Sequence, residues 1–417
     1  MYSNRQHTPV GVNDILKAEC KLKRNIEKAV TSVFESFAYD EIETPSFEYL
    51  SIYQTKAGGI DEKLMYKFFD NENRILALRP DITTSIARVC ATKLKDELLP
   101  QRFFYVGNSF RAGEAYGEML REFTQAGVEL VGVSNPLADA EVIAVTINAL
   151  LGAGLEDFMI EIGQVAFFKG LVEQAGISEQ KAEQIRILID KKDTVALEQL
   201  VDSCVKEEGV KKILTSLPMM FGFIDILDDI DTTCLNQTSR DALENIRTVY
   251  EILKGYGLGN YISIDLGMVS QINYYSGIIF KGFARGTGFT VCGGGRYDTL
   301  IGEFGKSLPA TGVAIGINRL TNLLYAKKAS NKGLVPIALV ASDLPDLAYR
   351  VSFGLRAQGL RVESYVLGGT MAEAIDYCEL KGITALIWVG DQKVTMTNIS
   401  SGEVSETTLE KLLNSQK

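Results

Sequence analysis

The chain has 417 residues, 46% of them hydrophobic and 23% charged, with a net charge of −10 at pH 7. That length allows two or three domains around a sizeable core, and the composition is that of an ordinary globular protein. No run approaches the roughly 18 apolar residues of a membrane span, the start Met1–His7 has no apolar stretch of a signal peptide behind its basic residues, and the acidic balance argues against a surface built to grip phosphates. The six cysteines (20, 90, 204, 234, 292 and 378) are scattered without C-x-x-C spacing, and His7 is the single histidine. We therefore expect small buried thiols in a reducing cytoplasm and no transition-metal site.

Apolar residues near helical spacing (Ile15, Leu22, Ile26, Val30, Val33, Phe37) predict a helix over 14–38. Asp40 to Tyr49 read as extended, with Pro45 at an edge or entry position. Residues 66–78 read as a hairpin turning at Asp70–Asn73. Pro80 ends its second strand, and Asp81 is placed to cap a helix over about 82–95. Two strands, 102–111 and 121–132, flank a Gly-containing loop; Asn135-Pro136 is a turn before a helix at 137–153. From about 166 to 256 the pattern is almost wholly helical and rich in Lys, Glu, Leu and Ile, which predicts an inserted helical subdomain. Strand signals return at 261–266, 272–283 and 290–292, and Gly312–Ile317 opens a strand-to-helix element. After a polar linker at 327–333, residues 333–417 follow a β-α-β-α-β pattern, a small separate α/β domain.

Several short segments stand out for chemistry: Leu78-Arg79-Pro80-Asp81-Ile82-Thr83; Phe110-Arg111; Arg121 through Glu129-Leu130; Asn273-Tyr274-Tyr275-Ser276-Gly277; Gly293-Gly294-Gly295-Arg296-Tyr297-Asp298; and Gly312 through Leu320. Alone, a tyrosine pair reads as core and a glycine run as a turn. Their order across about 240 residues, with Pro9-Val10-Gly11-Val12-Asn13-Asp14 at the start, resembles the histidyl-tRNA synthetase family of class II aminoacyl-tRNA synthetases. The resemblance covers about 1–325. It implies an α+β fold whose core is an antiparallel sheet flanked by helices and which pairs as a homodimer through the segment 14–49. It also implies a histidine pocket. Asp81 (usually glutamate in that family), Thr83 and Gln125 would hold the ammonium, and Arg111 would face the carboxylate. Glu129 and Tyr275 would read the imidazole, and Tyr274, Gly294 and Gly295 would line the site.

The same comparison exposes departures. The family's arginine four residues before the tyrosine pair is Ser270 here, Phe110-Arg111-Ala112-Gly113 lacks the glutamate expected to read adenine (Glu114 stands one place later), and Thr124 replaces a common histidine. Amino-acid activation depends on cations aimed at the reacting phosphate, and losing one such donor typically costs 10²–10³ in rate. A pocket kept without this machinery resembles the regulatory subunits of ATP phosphoribosyltransferase. That resemblance implies a non-catalytic, cofactor-free, cytoplasmic partner of the short-form catalytic subunit in a hetero-octamer. It further implies that the chain binds L-histidine and is required for both activity and feedback inhibition of histidine biosynthesis. The C-terminal domain, with Ala385-Leu386-Ile387-Trp388-Val389, resembles an anticodon-binding domain. Yet residues 333–417 hold seven Lys/Arg against ten Asp/Glu, which argues against tRNA and for a packing role. A working histidyl-tRNA synthetase and a paralogue with another ligand are the alternative readings.

Overall fold

A computed structural model of the chain describes residues 6–55, 60–113, 120–269, 274–327, 336–409 and 411. Ser270, Glu114 and the linker residues from Lys328 to Gly333 lie outside the described residues. The chain divides into two compact units, one comprising Met1–Ile15 with Leu22–Ala329 and the other Leu16–Lys21 with Ser330–Lys417.

The larger unit runs, in order, through α1 (Lys17–Ser36, from Leu22 onward), β1 (Asp40–Glu41), β2 (Phe47–Tyr49), β3 (Lys67–Phe69), β4 (Ile75–Leu78), α2 (Thr83–Thr92), β5 (Gln101–Phe110), β6 (Glu122–Val131), α3 (Pro136–Gly152) and β7 (Phe158–Gln164). It continues through α4 (Val165–Ala175), α5 (Glu179–Asp190), α6 (Thr194–Cys204), α7 (Glu208–Ser216), β8 (Phe221–Gly222), α8 (Gln237–Gly255), β9 (Ile262–Asp265), β10 (Ile278–Ala284), β11 (Thr290–Arg296), β12 (Ala310–Gly316) and α9 (Ile317–Lys327). Nine strands form one sheet in the order β1-β5-β6-β12-β11-β10-β7-β9-β8, and β2-β4-β3 form a small second sheet. The expected antiparallel core is present, with parallel pairings at β1/β5 and β7/β9 making the sheet mixed. One face is core: Val128, Leu130, Val313, Ile315, Phe280, Ile160 and Ile162 pack beneath α1, α3 and α8. Fully burying such a side chain stabilises by roughly 1.5–3 kcal/mol each.

The helices start where the sequence offers caps. Asn135 accepts from Ala138 N–H ahead of Pro136 at the first turn of α3, and Asn236 does the same for Ser239 at α8. Gly176, left-handed at φ 62°, stops α4. The insertion is helical as expected from α4 to α8, except that β8 and short 3-10 turns interrupt it. Strand β7 carries no sequence expectation, although Phe158, Ile160 and Ile162 alternate with Glu161 and Gly163. Within the glycine run, Gly293–Gly295 belong to β11 itself.

The smaller unit contains β13 (Ala338–Ala341), α10 (Pro345–Ala357), β14 (Val362–Ser364), α11 (Met371–Lys381), β15 (Ala385–Val389), β16 (Lys393–Asn398) and β17 (Val404–Thr408). Its sheet order is β14-β13-β15-β16-β17, parallel through the first three strands and antiparallel beyond. The β-α-β-α-β pattern is there, and the last two strands extend it. A Thr370–Glu373 capping box opens α11 and Gly382 closes it.

Candidate functional site

The side of the sheet opposite the core carries glycines beside a few side chains, and its Tyr105, Val131 and Ala310 join a second buried cluster with α2. Strand register places Gly107, Gln125 and Gly316 in one cross-strand row. The next row holds Tyr105, Gly127, Ala314, Gly293 and Lys281, and the third holds Glu129, Gly312, Gly295 and Ile279. Because directly paired residues share a face, Gly293, Gly295, Gly312 and Gly316 come together in the floor of a cavity of about 840 Å³. Two glycines of this face are required by close approach: a Cβ on Gly312 would collide with the Glu129 carboxylate, and one on Gly127 would meet the Tyr105 hydroxyl at 2.5 Å. Gly294 turns its Cα the other way, against Phe280, and borders the cavity with its backbone.

Glu129 lies at the base, 1% exposed. Thr83 Oγ1 donates to its Oε1 at 2.7 Å, and the Tyr297 hydroxyl donates to its Oε2. Burial pushes the Glu129 carboxyl up to about 8; the donors Tyr297 and Thr83 oppose that shift and the Asp81 carboxylate adds to it. Burial likewise raises the Tyr105, Tyr274, Tyr275 and Tyr297 hydroxyls, so all four stay protonated near neutral pH. Tyr274 packs edge-on against Tyr275, with centroids 4.9 Å apart, and 5.8 Å from Tyr297. These rings leave an aromatic niche around one carboxyl group.

The remaining expected residues line the same cavity. Asp81 caps α2, its Oδ1 accepting from Thr84 N–H at 2.9 Å. Gln125 accepts from Ser109 Oγ at 3.1 Å. Arg111 donates through Nε to the Pro80 carbonyl at 3.2 Å and lies 5.4 Å from the Phe123 ring centroid. Burial lowers the Arg111 pKa and Asp81 counters it. All seven residues named from sequence, Asp81, Thr83, Arg111, Gln125, Glu129, Tyr274 and Tyr275, therefore face one space. Thr83, expected at the ammonium end, donates its hydroxyl to Glu129 here. Tyr105 and Tyr297 also belong to the wall and were not among the expected set; Tyr297 lies inside the quoted glycine motif, two residues past Gly295. Glu183 and Arg186 of α5 line the cavity too, something no local sequence signal announces.

A buried ion pair fixes the tyrosine turn from behind. Arg296 bonds Asp139 on α3 at 3.0 Å and Asp298 at 3.1 Å, and Ser276 Oγ donates to Asp298 at 2.9 Å directly after Tyr275. The site thus combines acceptors (Asp81, Gln125), a guanidinium (Arg111) and an aromatic-walled carboxyl (Glu129). That set suits an amino acid with a nitrogen-bearing side chain.

The family model for histidyl-tRNA synthetase matches residues 11–320, and that for the anticodon binding domain matches 333–415. The chain is 45% identical to an ATP phosphoribosyltransferase regulatory subunit of Acetivibrio thermocellus over 98% of both chains. It is 41% identical to one of Ruminiclostridium cellulolyticum, covering 98% of this chain and 99% of the relative. Among solved structures, an ATP phosphoribosyltransferase regulatory subunit/histidyl-tRNA synthetase from Bacillus halodurans superposes with a TM-score of 0.83 at 31% identity, over 93% of this chain and 99% of that one. Histidyl-tRNA synthetase from Nostoc sp. has the same fold, with a TM-score of 0.78 at 24% identity over 98% of each chain.

Proposed function

We propose that this chain, which belongs to the family of ATP phosphoribosyltransferase regulatory subunits, senses free histidine and carries that signal to the catalytic subunit. The observation that carries the reading is the Glu129 niche. Each carboxyl oxygen of Glu129 already receives one hydroxyl donor and keeps room for another. An imidazole N–H entering between Tyr275 and Tyr297 would make a charge-assisted bond there, while Asp81 and Gln125 accept from the ammonium and Arg111 donates to the carboxylate.

The chain itself carries out no reaction in this proposal. The motif Phe110-Arg111-Ala112-Gly113 has no acid at its fourth position, and Ser270 stands where the synthetases carry an arginine. Histidine can inhibit a partner only if the complex has two states that differ in histidine affinity, with coupling of about 1–3 kcal/mol on the usual scale. The partner is the short-form catalytic subunit, in a cytoplasmic hetero-octamer. A homodimer of this chain would form through the segment 14–49, whose Phe47 and Tyr49 are exposed together with Phe68, Phe69 and Ile75 of the small β2-β4-β3 sheet. The test is reconstitution: the short-form catalytic subunit should be nearly inactive alone, active with this chain, and inhibited again by added histidine. A catalytic subunit whose activity ignores this chain would overturn the proposal.

A further inference from the structure

The nine-stranded sheet that floors the cavity ends at β8, which pairs with β9 and lies last in the strand order. Around this edge Met219, Phe221 and Phe223 are 63%, 51% and 66% exposed. Large exposed apolar side chains close together along a sheet edge mark interaction sites. Lys192, in the turn two residues past the end of α5, holds its ammonium 4.9 Å from the Phe221 ring centroid. The same helix carries Glu183 and Arg186 into the wall of the ligand cavity, paired to each other through two bonds of 2.7 Å. One helix of 12 residues, about 18 Å long by its rise, therefore has ligand-wall residues along it and an edge-covering lysine just past its end.

The segment following β8 is acidic: Asp225, Asp228, Asp229 and Asp231 are all exposed, and Arg247 reaches only Asp228 among them, at 2.7 Å. A second copy of this chain would bring the same acidic segment against itself, and like charges facing one another select against that pairing. The complementary occupant is an apolar segment flanked by Lys or Arg on a different chain.

Resting on the regulatory reading above, we propose that the β8 edge, formed by Met219, Phe221 and Phe223 beside the acidic 225–231 segment, is the docking surface for a basic-flanked apolar segment of the catalytic subunit. In this arrangement α5 is the element shared by the ligand cavity and the docked edge. A ligand that draws Arg186 away from Glu183 acts on the helix whose end covers Phe221.

The test uses the full-length chain and the short-form catalytic subunit, with association measured by sedimentation and histidine binding by calorimetry. F221S/F223S alters exposed side chains only and should weaken association at least tenfold while histidine affinity stays within twofold of wild type. The charge variant D228K/D229K should also weaken association, and the wild-type complex should loosen with added salt where this variant's does so less. Unchanged association of F221S/F223S overturns the assignment. So does a variant that loses self-association and keeps the catalytic subunit, since the edge would then be a contact between copies. If the wild-type chain neither binds nor stimulates the catalytic subunit, the regulatory reading fails first and the docking surface with it.

Discussion

Replacing Glu129 by glutamine changes one atom and tests the pocket's chemistry. In the empty site the Glu129 carboxyl keeps its proton up to about pH 8, and a free imidazole gains one below about pH 6.5. A bound imidazolium–carboxylate pair holds a single proton between them. Below about pH 6.5 the separated partners hold two, so binding releases a proton and affinity falls toward acid. Above about pH 8 they hold none, so binding must take one up and affinity falls toward base. Wild-type affinity should therefore peak between these limits. The groups facing Glu129 leave this window open: Thr83 and Tyr297 donate to it, Asp81 raises it, and the tyrosine hydroxyls stay protonated throughout. Glu129→Gln removes the charge-assisted bond, worth about 1.5–3 kcal/mol, or roughly 10- to 150-fold in affinity, at neutral pH. The gap should narrow by about tenfold per unit above pH 8, because only the wild type loses its proton there. Calorimetric titration of histidine into both proteins from pH 5.5 to 9.5 reads this, and the ratio of the two affinities cancels the titration of the ligand's own amino group. A ratio near one at pH 7, or a ratio that does not move with pH, would refute the assignment of Glu129.

The same group predicts a stability slope. Its folded pKa, about 8, lies above the ordinary carboxyl value of 4.5, so its contribution is fully present below pH 4.5 and is lost as pH rises toward 8, about 3 kcal/mol of it by pH 7. Urea unfolding of the ligand-free protein at pH 5 and pH 8 should show that decline in wild type and a shallower one in Glu129→Gln; equal declines would count against it. Gly312→Ala drives a methyl into the Glu129 carboxyl and should abolish histidine binding, with an overpacking penalty of about 1–3 kcal/mol; near-normal affinity would mean the floor gives way more easily than the geometry implies. Ser270→Arg should yield no histidine-dependent ATP–pyrophosphate exchange, since Gly113 and Thr124 remain; measurable exchange would place the loss of catalysis at one residue. Phe47→Asp with Phe69→Asp should turn a sedimenting dimer of the isolated chain into a monomer; a dimer surviving both charges would move the interface off the small sheet.

The candidate ligand residues were legible through the order and spacing of short motifs that resemble a known family: some stand at element ends, while Gln125 and Glu129 lie within β6. Asp81 beside Pro80, and the Tyr274-Tyr275 pair before Ser276-Gly277, are of the first kind. Of the glycine floor, Gly294 and Gly295 were named from the resemblance, whereas Gly293, Gly312 and Gly316 join it only once strand register is known. Strand β7 had a readable signal in its alternating Phe158, Ile160 and Ile162, but it runs straight into α4 with no turn residue between them. Tyr297 was in view within the glycine motif; its bond to Glu129 spans 168 positions of sequence and needed the fold to appear. The approach of α5 to the cavity depends on how the inserted helices pack on the sheet, which periodicity within one helix cannot specify.

Histidine bound at the Glu129 niche, if it governs a catalytic partner, must set the midpoint of that partner's inhibition. Histidine inhibition curves are recorded for the short-form transferase assembled with wild-type chain and with Glu129→Gln. Activation without histidine should be equal in the two complexes, and the inhibition midpoint should shift at least tenfold upward in the variant complex, matching its loss of histidine affinity. Superimposable inhibition curves would contradict it and put the sensor on the catalytic subunit.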